Sequence, residues 1–268
     1  FVRWYLMKKD GKIMIDLTSD KIRTDVVKNK LSFIEKLYLT KTNYANSLGC
    51  KYLMKLSDGY YYVKKVNELE LCNEIVGRYL CAKVGLETTD LELLLDKNVI
   101  KIATPNYRKQ NLNYNNPTDD KILFFSNQYN VSKLKLLPKS YQKEQVKLIA
   151  LDVMMEQTDR YGRNMEEIID KNIIHLTPVI DFARSFGVVY FNFFYNPYVS
   201  IPKDVGSIDK FLNDFPEAYK YFLEIFSIGT EELVNYIETN YPIRVEDEIK
   251  EAYDKVISRN KRLIKSLR

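Results

Sequence analysis

Three side chains in the second half of the chain have the types and spacing that phosphoryl transfer uses. Asp159 and Asn164 are separated by four residues in the polar run Thr158-Asp159-Arg160-Tyr161-Gly162-Arg163-Asn164. A carboxylate in such a loop can accept or orient the proton of an attacking hydroxyl, and a carboxamide oxygen can ligate Mg²⁺. Asp181 closes the apolar run Val179-Ile180 and can supply the main carboxylate to the same cation. Each also has a plainer explanation. Asp-x4-Asn arises cheaply in an Asn-rich chain, and a strand-end Asp commonly caps a turn.

Two charged residues upstream join this set. Lys64 ends the aromatic strand Tyr60-Tyr61-Tyr62-Val63, where a fixed ammonium suits the phosphates of a nucleotide. Lys65 is its rival, and strand alternation sends the two to opposite faces. Glu74 follows in a helix and can orient the strand lysine by ion pairing. Its ordinary alternative is a pair with Arg78, four residues on. Glu68 and Glu70 fall in the first helical turn, where acids simply favour the helix dipole.

The elements that must position these residues are legible from their periodicity. Hairpins are expected over 2–8 and 12–17 around Asp10-Gly11, and over 51–56 and 60–66 around Asp58-Gly59. Helices are expected over 21–39 and 67–84, the second carrying Cys72, Ile75, Val76, Tyr79 and Leu80 as a stripe, with Gly85 as its cap. Short strands follow over 91–94 and 99–103. Residues 105–120, rich in Asn, Pro and Asp, read as a loop and a lobe boundary. Beyond it lie a strong helix over 141–157, a strand over 173–176, and helices over 208–226, 231–241 and 245–267. A strand-rich first part and a helical second part predict an α+β fold, with an N-lobe over 1–107 and a C-lobe over 108–268.

Composition narrows the chemistry. The chain has 268 residues, 46% of them hydrophobic, with 21 Tyr and 13 Phe, which is enough for a substantial core. Lys and Arg number 41 against 36 acids, so the surface is mixed rather than polycationic, and direct nucleic-acid binding is not expected. The basic run Arg259 to Arg268 reads as an exposed final helix face. Three cysteines without a CxxC pair argue against a disulfide framework or a zinc site and for a reducing, cytoplasmic setting. With His175 as the sole histidine, His-ligated metals and Ser-His-Asp catalysis are nearly excluded. No apolar run approaches the ~20 residues that span a bilayer, so no membrane partner is expected.

The order strand-Lys, helix-Glu, Asp-x4-Asn, strand-Asp resembles the protein-kinase-like superfamily, and within it the HipA-like serine/threonine kinases of bacterial toxin–antitoxin systems. The resemblance covers residues 45 to 190. It rests on Tyr62-Val63-Lys64, on Asn73-Glu74 followed by Arg78-Tyr79-Leu80-Cys81-Ala82-Lys83-Val84-Gly85-Leu86, on Thr158-Asp159-Arg160 with Asn164, and on Leu176-Thr177-Pro178 leading to Asp181. It implies a bilobed kinase-like fold that binds ATP and Mg²⁺. Asp159 would be the catalytic base, Asn164 and Asp181 the metal ligands, Lys64 the phosphate-binding lysine and Glu74 its helix partner. The stretch 100–107, with Ala103 and Pro105, would be the hinge that meets adenine.

The chain also departs from that family's pattern. No Gly-x-Gly-x-x-Gly loop precedes Lys64; Ser47-Leu48-Gly49-Cys50-Lys51 resembles a reduced phosphate loop with a single glycine. Gln157-Thr158-Asp159 stands where His-Arg-Asp is usual. Asp181 is followed by Phe182-Ala183, and Ala183 would be strained at positive φ. The expected activity is phosphoryl transfer to a protein Ser/Thr hydroxyl, with an antitoxin-like protein as a further partner. A small-molecule kinase uses the same residues, and a non-catalytic pseudokinase or interaction module is the other alternative. Ser47, Thr40 and Thr42 are candidate autophosphorylation sites, and the aromatic run Tyr190 to Tyr198 reads as core packing ahead of a substrate platform.

Overall fold

The computed structural model describes residues 4–6, 13–26, 51–105, 122–125, 131–157, 160, 166–170, 173–186 and 205–266. Its organising element is a five-stranded sheet. Strands β1 (Trp4–Leu6) and β2 (Ile13–Asp16) precede it as an antiparallel pair. The sheet itself holds β3 (Ile22–Arg23), β4 (Lys51–Leu56), β5 (Gly59–Lys64), β6 (Glu92–Asp96) and β7 (Val99–Pro105), in the order β3-β6-β7-β5-β4. β4 and β5 form the hairpin expected at Asp58-Gly59, with Leu56 opposite Gly59 and Lys51 opposite Lys64. β6 and β7 are joined through Lys97 and Asn98, both at positive φ, as a tight two-residue hairpin turn requires.

Between β5 and β6 runs α1 (Glu68–Lys83), and its ends explain its boundaries. Asn67 accepts from the Glu70 amide while the Glu70 carboxylate accepts from the Asn67 amide, a reciprocal capping box. At the other end Gly85 sits at φ +64°, its N–H bonded to the Ala82 carbonyl and that of Leu86 to the Cys81 carbonyl. That is the Schellman closure, and it needs the left-handed residue that glycine supplies.

The second half contributes β8 (Ile122–Phe125) and a 3₁₀ turn (Val131–Leu136), then α2 (Lys139–Met155), β9 (Glu166–Asp170) and β10 (Ile173–Leu176). The three strands form an antiparallel sheet in the order β10-β9-β8. α3 (Val205–Asp214), α4 (Ala218–Phe226), α5 (Thr230–Asn240), β11 (Ile243–Val245) and α6 (Asp247–Ser266) complete the chain. α2 is the pivot: it packs on α1, α4, α6 and β10. One hydrophobic cluster extends from Ile13 through α1 and α2 to Ile264, and a smaller one of Leu56, Tyr61, Val63, Leu94 and Ala103 covers the other face of the large sheet. Among the described residues no helix is long and apolar enough to cross a membrane.

Three expectations are corrected. The helix expected over 21–39 does not begin there, because Ile22–Arg23 pair in parallel with Leu93–Leu94. Arg23 is drawn into that strand by ion pairs with Asp25, Asp58 and Glu92; residues 27–39 lie outside the described set. The helix expected over 208–226 is two helices, broken at Phe215-Pro216-Glu217, where Pro216 has no N–H to continue the ladder. The helix expected from 245 begins at Asp247, and the preceding Ile243–Val245 pairs with β2 instead. β8 and β9 were not anticipated. Pro105 ends β7, and the rest of the loop expected to 120 lies outside the described residues, as does the aromatic run 190–198.

Candidate nucleotide and metal site

The strand-borne lysine, the helix carboxylate and Asp181 come together, although Asp181 follows an isolated bridge between Thr88 and Val179 rather than the expected strand. Lys64 Nζ lies 3.0 Å from Glu74 Oε1 and 2.7 Å from Asp181 Oδ1. The second Glu74 oxygen takes the Arg78 guanidinium at 2.6 Å, so both pairings foreseen for Glu74 exist at once, one on each oxygen. Arg78 also donates to the carbonyls of Thr89 (3.0 Å) and Glu74 (2.8 Å) and to Thr104 Oγ1 (3.2 Å). Lys65 is exposed, which settles the choice between the neighbouring lysines.

These four groups balance two positive against two negative charges in a largely buried setting. Burial opposes the Lys64 charge, yet the Asp181 and Glu74 carboxylates outweigh it and hold the ammonium's pKa above the ordinary value. Burial likewise opposes ionisation of Glu74, and Lys64 and Arg78 together overcome it, leaving its pKa below the usual carboxylate range. Lys64 is thus a permanent cation, aimed by a carboxylate that stays ionised.

Asp181 is held in an uncommon conformation. Its φ is +66°, in the left-handed region that non-glycine residues seldom adopt. Gln157 Nε2 donates to its carbonyl at 2.8 Å, and Arg160 Nη1 to the Ile180 carbonyl at 2.6 Å. Glu156 and Phe186 are left-handed as well, at φ 52° and 50°, and the Phe186 amide donates to the Met155 carbonyl at 2.7 Å. Three such residues at the junction of α2 with the Asp181 segment match the tendency of backbone strain to gather at functional sites. Ala183 is not at positive φ; the strain falls on Asp181 instead.

The segment after Asp181 locks onto α1. Asn73 Nδ2 donates to the carbonyls of Ala183 (3.1 Å) and Ser185 (2.7 Å). Phe182 is fully buried against Gly77, so closely that a β-carbon on Gly77 would lie 2.1 Å from the Phe182 ring. Upstream of Asp181, Val179 donates its amide to the Glu87 carbonyl (2.8 Å) and accepts from Thr88 Oγ1 (2.7 Å).

The remaining candidates divide in two. Ala103 and Pro105 lie on β7 opposite Val63 and Tyr61, so their side chains share the sheet face away from Lys64, and Ala103 is fully buried. Only their main chain is available on the Lys64 side. Thr104, which the sequence did not single out, faces that side opposite Tyr62. Asp159, Asn164, Ser47 and Gly49 lie outside the described residues, and Lys51 is described in its backbone alone. Gln157 and Asn73 work by donating to main-chain carbonyls, a role that leaves no mark in a sequence.

A hard cation such as Mg²⁺ takes one or two carboxylates and completes its shell with phosphate and water oxygens. The donor set fits that habit. Asp181 is a largely buried carboxylate beside the Lys64 ammonium.

No protein-family profile and no curated protein sequence matches the chain. Solved structures do. The Helicobacter pylori proinflammatory kinase CtkA superposes with a TM-score of 0.50 at 14% identity, over 79% of this chain and 90% of that one. HipA of the Shewanella oneidensis MR-1 toxin–antitoxin system, solved with HipB and operator DNA, superposes with a TM-score of 0.61 at 12% identity, over 81% of this chain and 64% of its own. The chain therefore spans a little under two thirds of that HipA. At these identities the likeness establishes the fold: the mixed α/β, kinase-like fold that the resemblance implied.

Proposed function

We propose that this chain is an ATP- and Mg²⁺-dependent phosphotransferase of the HipA-like kind, acting on a protein Ser/Thr hydroxyl. The observation that carries the reading is Lys64 Nζ fixed between Glu74 at 3.0 Å and Asp181 at 2.7 Å, in a kinase-like fold. A permanently charged lysine on a strand holds nucleotide phosphates as a point charge, and the helix carboxylate keeps it from swinging away. Asp181 is then the carboxylate offered to the metal, with Asn164 as its second protein ligand. Bound Mg²⁺ would neutralise charge on the β- and γ-phosphates. Asp159 receives or orients the proton of the acceptor hydroxyl, which then displaces ADP from the γ-phosphorus.

The free, buried thiols of Cys72 and Cys81 support a reducing, cytoplasmic setting. The HipA neighbour was solved with its HipB partner, and an antitoxin-like protein is proposed as a partner here on that analogy. The test is transfer of phosphate from γ-labelled ATP, with Mg²⁺, to the chain itself and to Ser/Thr-bearing proteins. Incorporation is expected for the parent and a loss of about 10²-fold or more for Asp159→Asn, in line with the weight of general-base catalysis. Equal incorporation by parent and variant would remove Asp159 from the chemistry.

A further inference from the structure

We propose that Gln157 and Arg160 are positioning residues that set the backbone of Asp181 and thereby the strength with which a divalent cation is held. The inference rests on the phosphotransferase reading and adds to it two residues with a defined task.

The backbone dihedrals of a residue are the orientations of its two flanking peptide planes. At Asp181 each plane is pinned by its carbonyl. The Ile180 carbonyl accepts from Arg160 Nη1 at 2.6 Å, and the Asp181 carbonyl accepts from Gln157 Nε2 at 2.8 Å. With both planes held, the residue is fixed at φ +66°, in the left-handed region that aspartate visits only occasionally. The direction of its Cα–Cβ bond follows from that, and the side-chain rotamer then carries the carboxylate to Lys64. Lys64 then meets the carboxylate at 2.7 Å.

The donors are themselves immobile. Arg160 is fully buried, and Asp152 on α2, also fully buried, takes its Nε at 2.9 Å and its Nη2 at 3.1 Å. The guanidinium carbon lies 5.1 Å from the centre of the Phe182 ring. Gln157 is buried at the end of α2, its own amide bonded to the Asp152 carbonyl at 2.9 Å. The arrangement reaches from α2 through Asp152 to both sides of Asp181. In sequence the two donors bracket Thr158-Asp159.

A buried ion pair can equally be a device of folding alone, and the two roles separate in a metal titration. Deleting one charge would strand the other in the core, so Arg160→Met is combined with Asp152→Leu, which removes both charges at similar volume. Gln157→Leu is the milder companion, removing one neutral hydrogen bond. The measurement is Mn²⁺ affinity of the full chain by electron paramagnetic resonance, at saturating non-hydrolysable ATP analogue. Metal-free binding of the analogue and the thermal midpoint are read in parallel.

The expected result is a loss of Mn²⁺ affinity of about tenfold or more in both variants, the usual effect of removing the groups that orient a metal ligand. Metal-free nucleotide binding stays at the parent value. Unchanged Mn²⁺ affinity in either folded variant would overturn the positioning role while leaving the phosphotransferase reading intact. A parent that takes up no Mn²⁺ with nucleotide, or an Asp181→Asn variant that takes it up like the parent, would overturn both.

Discussion

Glu74 divides its two oxygens between Lys64 and Arg78, and that division has a pH signature. Its folded pKa lies below the usual carboxylate value, because the two cations together outweigh the opposing effect of burial. A lowered pKa contributes stability that is complete above the unfolded value of about 4.3 and is lost as the pH falls towards the folded one. The thermal midpoint of the parent is therefore expected to drop on acidification below that value, and that of Glu74→Gln to drop less steeply. At neutral pH the same substitution is expected to cost about 3–5 kcal/mol by urea unfolding, because it leaves the buried Arg78 guanidinium without its carboxylate. Asn73 offers a neutral counterpart. Asn73→Ala strips the Ala183 and Ser185 carbonyls of a buried donor and should cost about 1–3 kcal/mol by the same measurement. Lys64, Glu74 and Asp181 were legible in the sequence because charge type and element order announce them. Gln157 and Asn73 were not, since an amide that serves carbonyls distant in sequence acquires its meaning only when the chain has folded.

A glycine in mid-helix ordinarily costs about 1 kcal/mol relative to alanine, so helix propensity alone would make Gly77→Ala stabilising. The Phe182 ring reverses the sign. With a β-carbon 2.1 Å from that ring, α1 and the Asp181 segment must separate or Phe182 must turn out. The expected outcome is a destabilisation of about 1–3 kcal/mol by urea denaturation, the range for overpacking; an increase in stability would show that the close contact is not maintained in solution. Periodicity and capping signals found α1, both hairpins and α2, whose patterns are local. They missed the strand at Ile22–Arg23, because its partner, Leu93–Leu94, is remote and its pull comes from an ion-pair cluster with Asp58 and Glu92. They missed Ile243–Val245 for the same reason, its partner being β2 near the other end of the chain. The break at Pro216 had a local signal, and the apolar spacing on either side of it masked the interruption.

At the scale of the molecule, the last helix and the first strands close around the centre. β11 covers β2, whose Ile13 and Ile15 are fully buried. Asn260 on α6 donates to the Met154 carbonyl at 2.7 Å, and Arg259 pairs with Glu156, both at the end of α2 where the Gln157–Asn164 stretch begins. Arg259, Arg262 and Lys265 are exposed, as expected of a final helix face, while Asn260 and Ile264 turn inward, and α6 packs on α2 at that end. A chain truncated after Asn240 is expected to lose cooperative unfolding, monitored by circular dichroism, because it leaves β2 unpaired on one side and opens the core that reaches Ile264. The overall fold class was legible from the change of periodicity along the chain, and structural likeness to CtkA and HipA bears it out. The central claim is that Lys64, Glu74 and Asp181 form a nucleotide–metal site, and calorimetric titration with ATP in the presence and absence of Mg²⁺ tests it most directly. The parent is expected to bind ATP more tightly with Mg²⁺ than without, and folded Asp181→Asn to lose the Mg²⁺ enhancement while retaining metal-free binding. A folded parent that binds no ATP under either condition would contradict it.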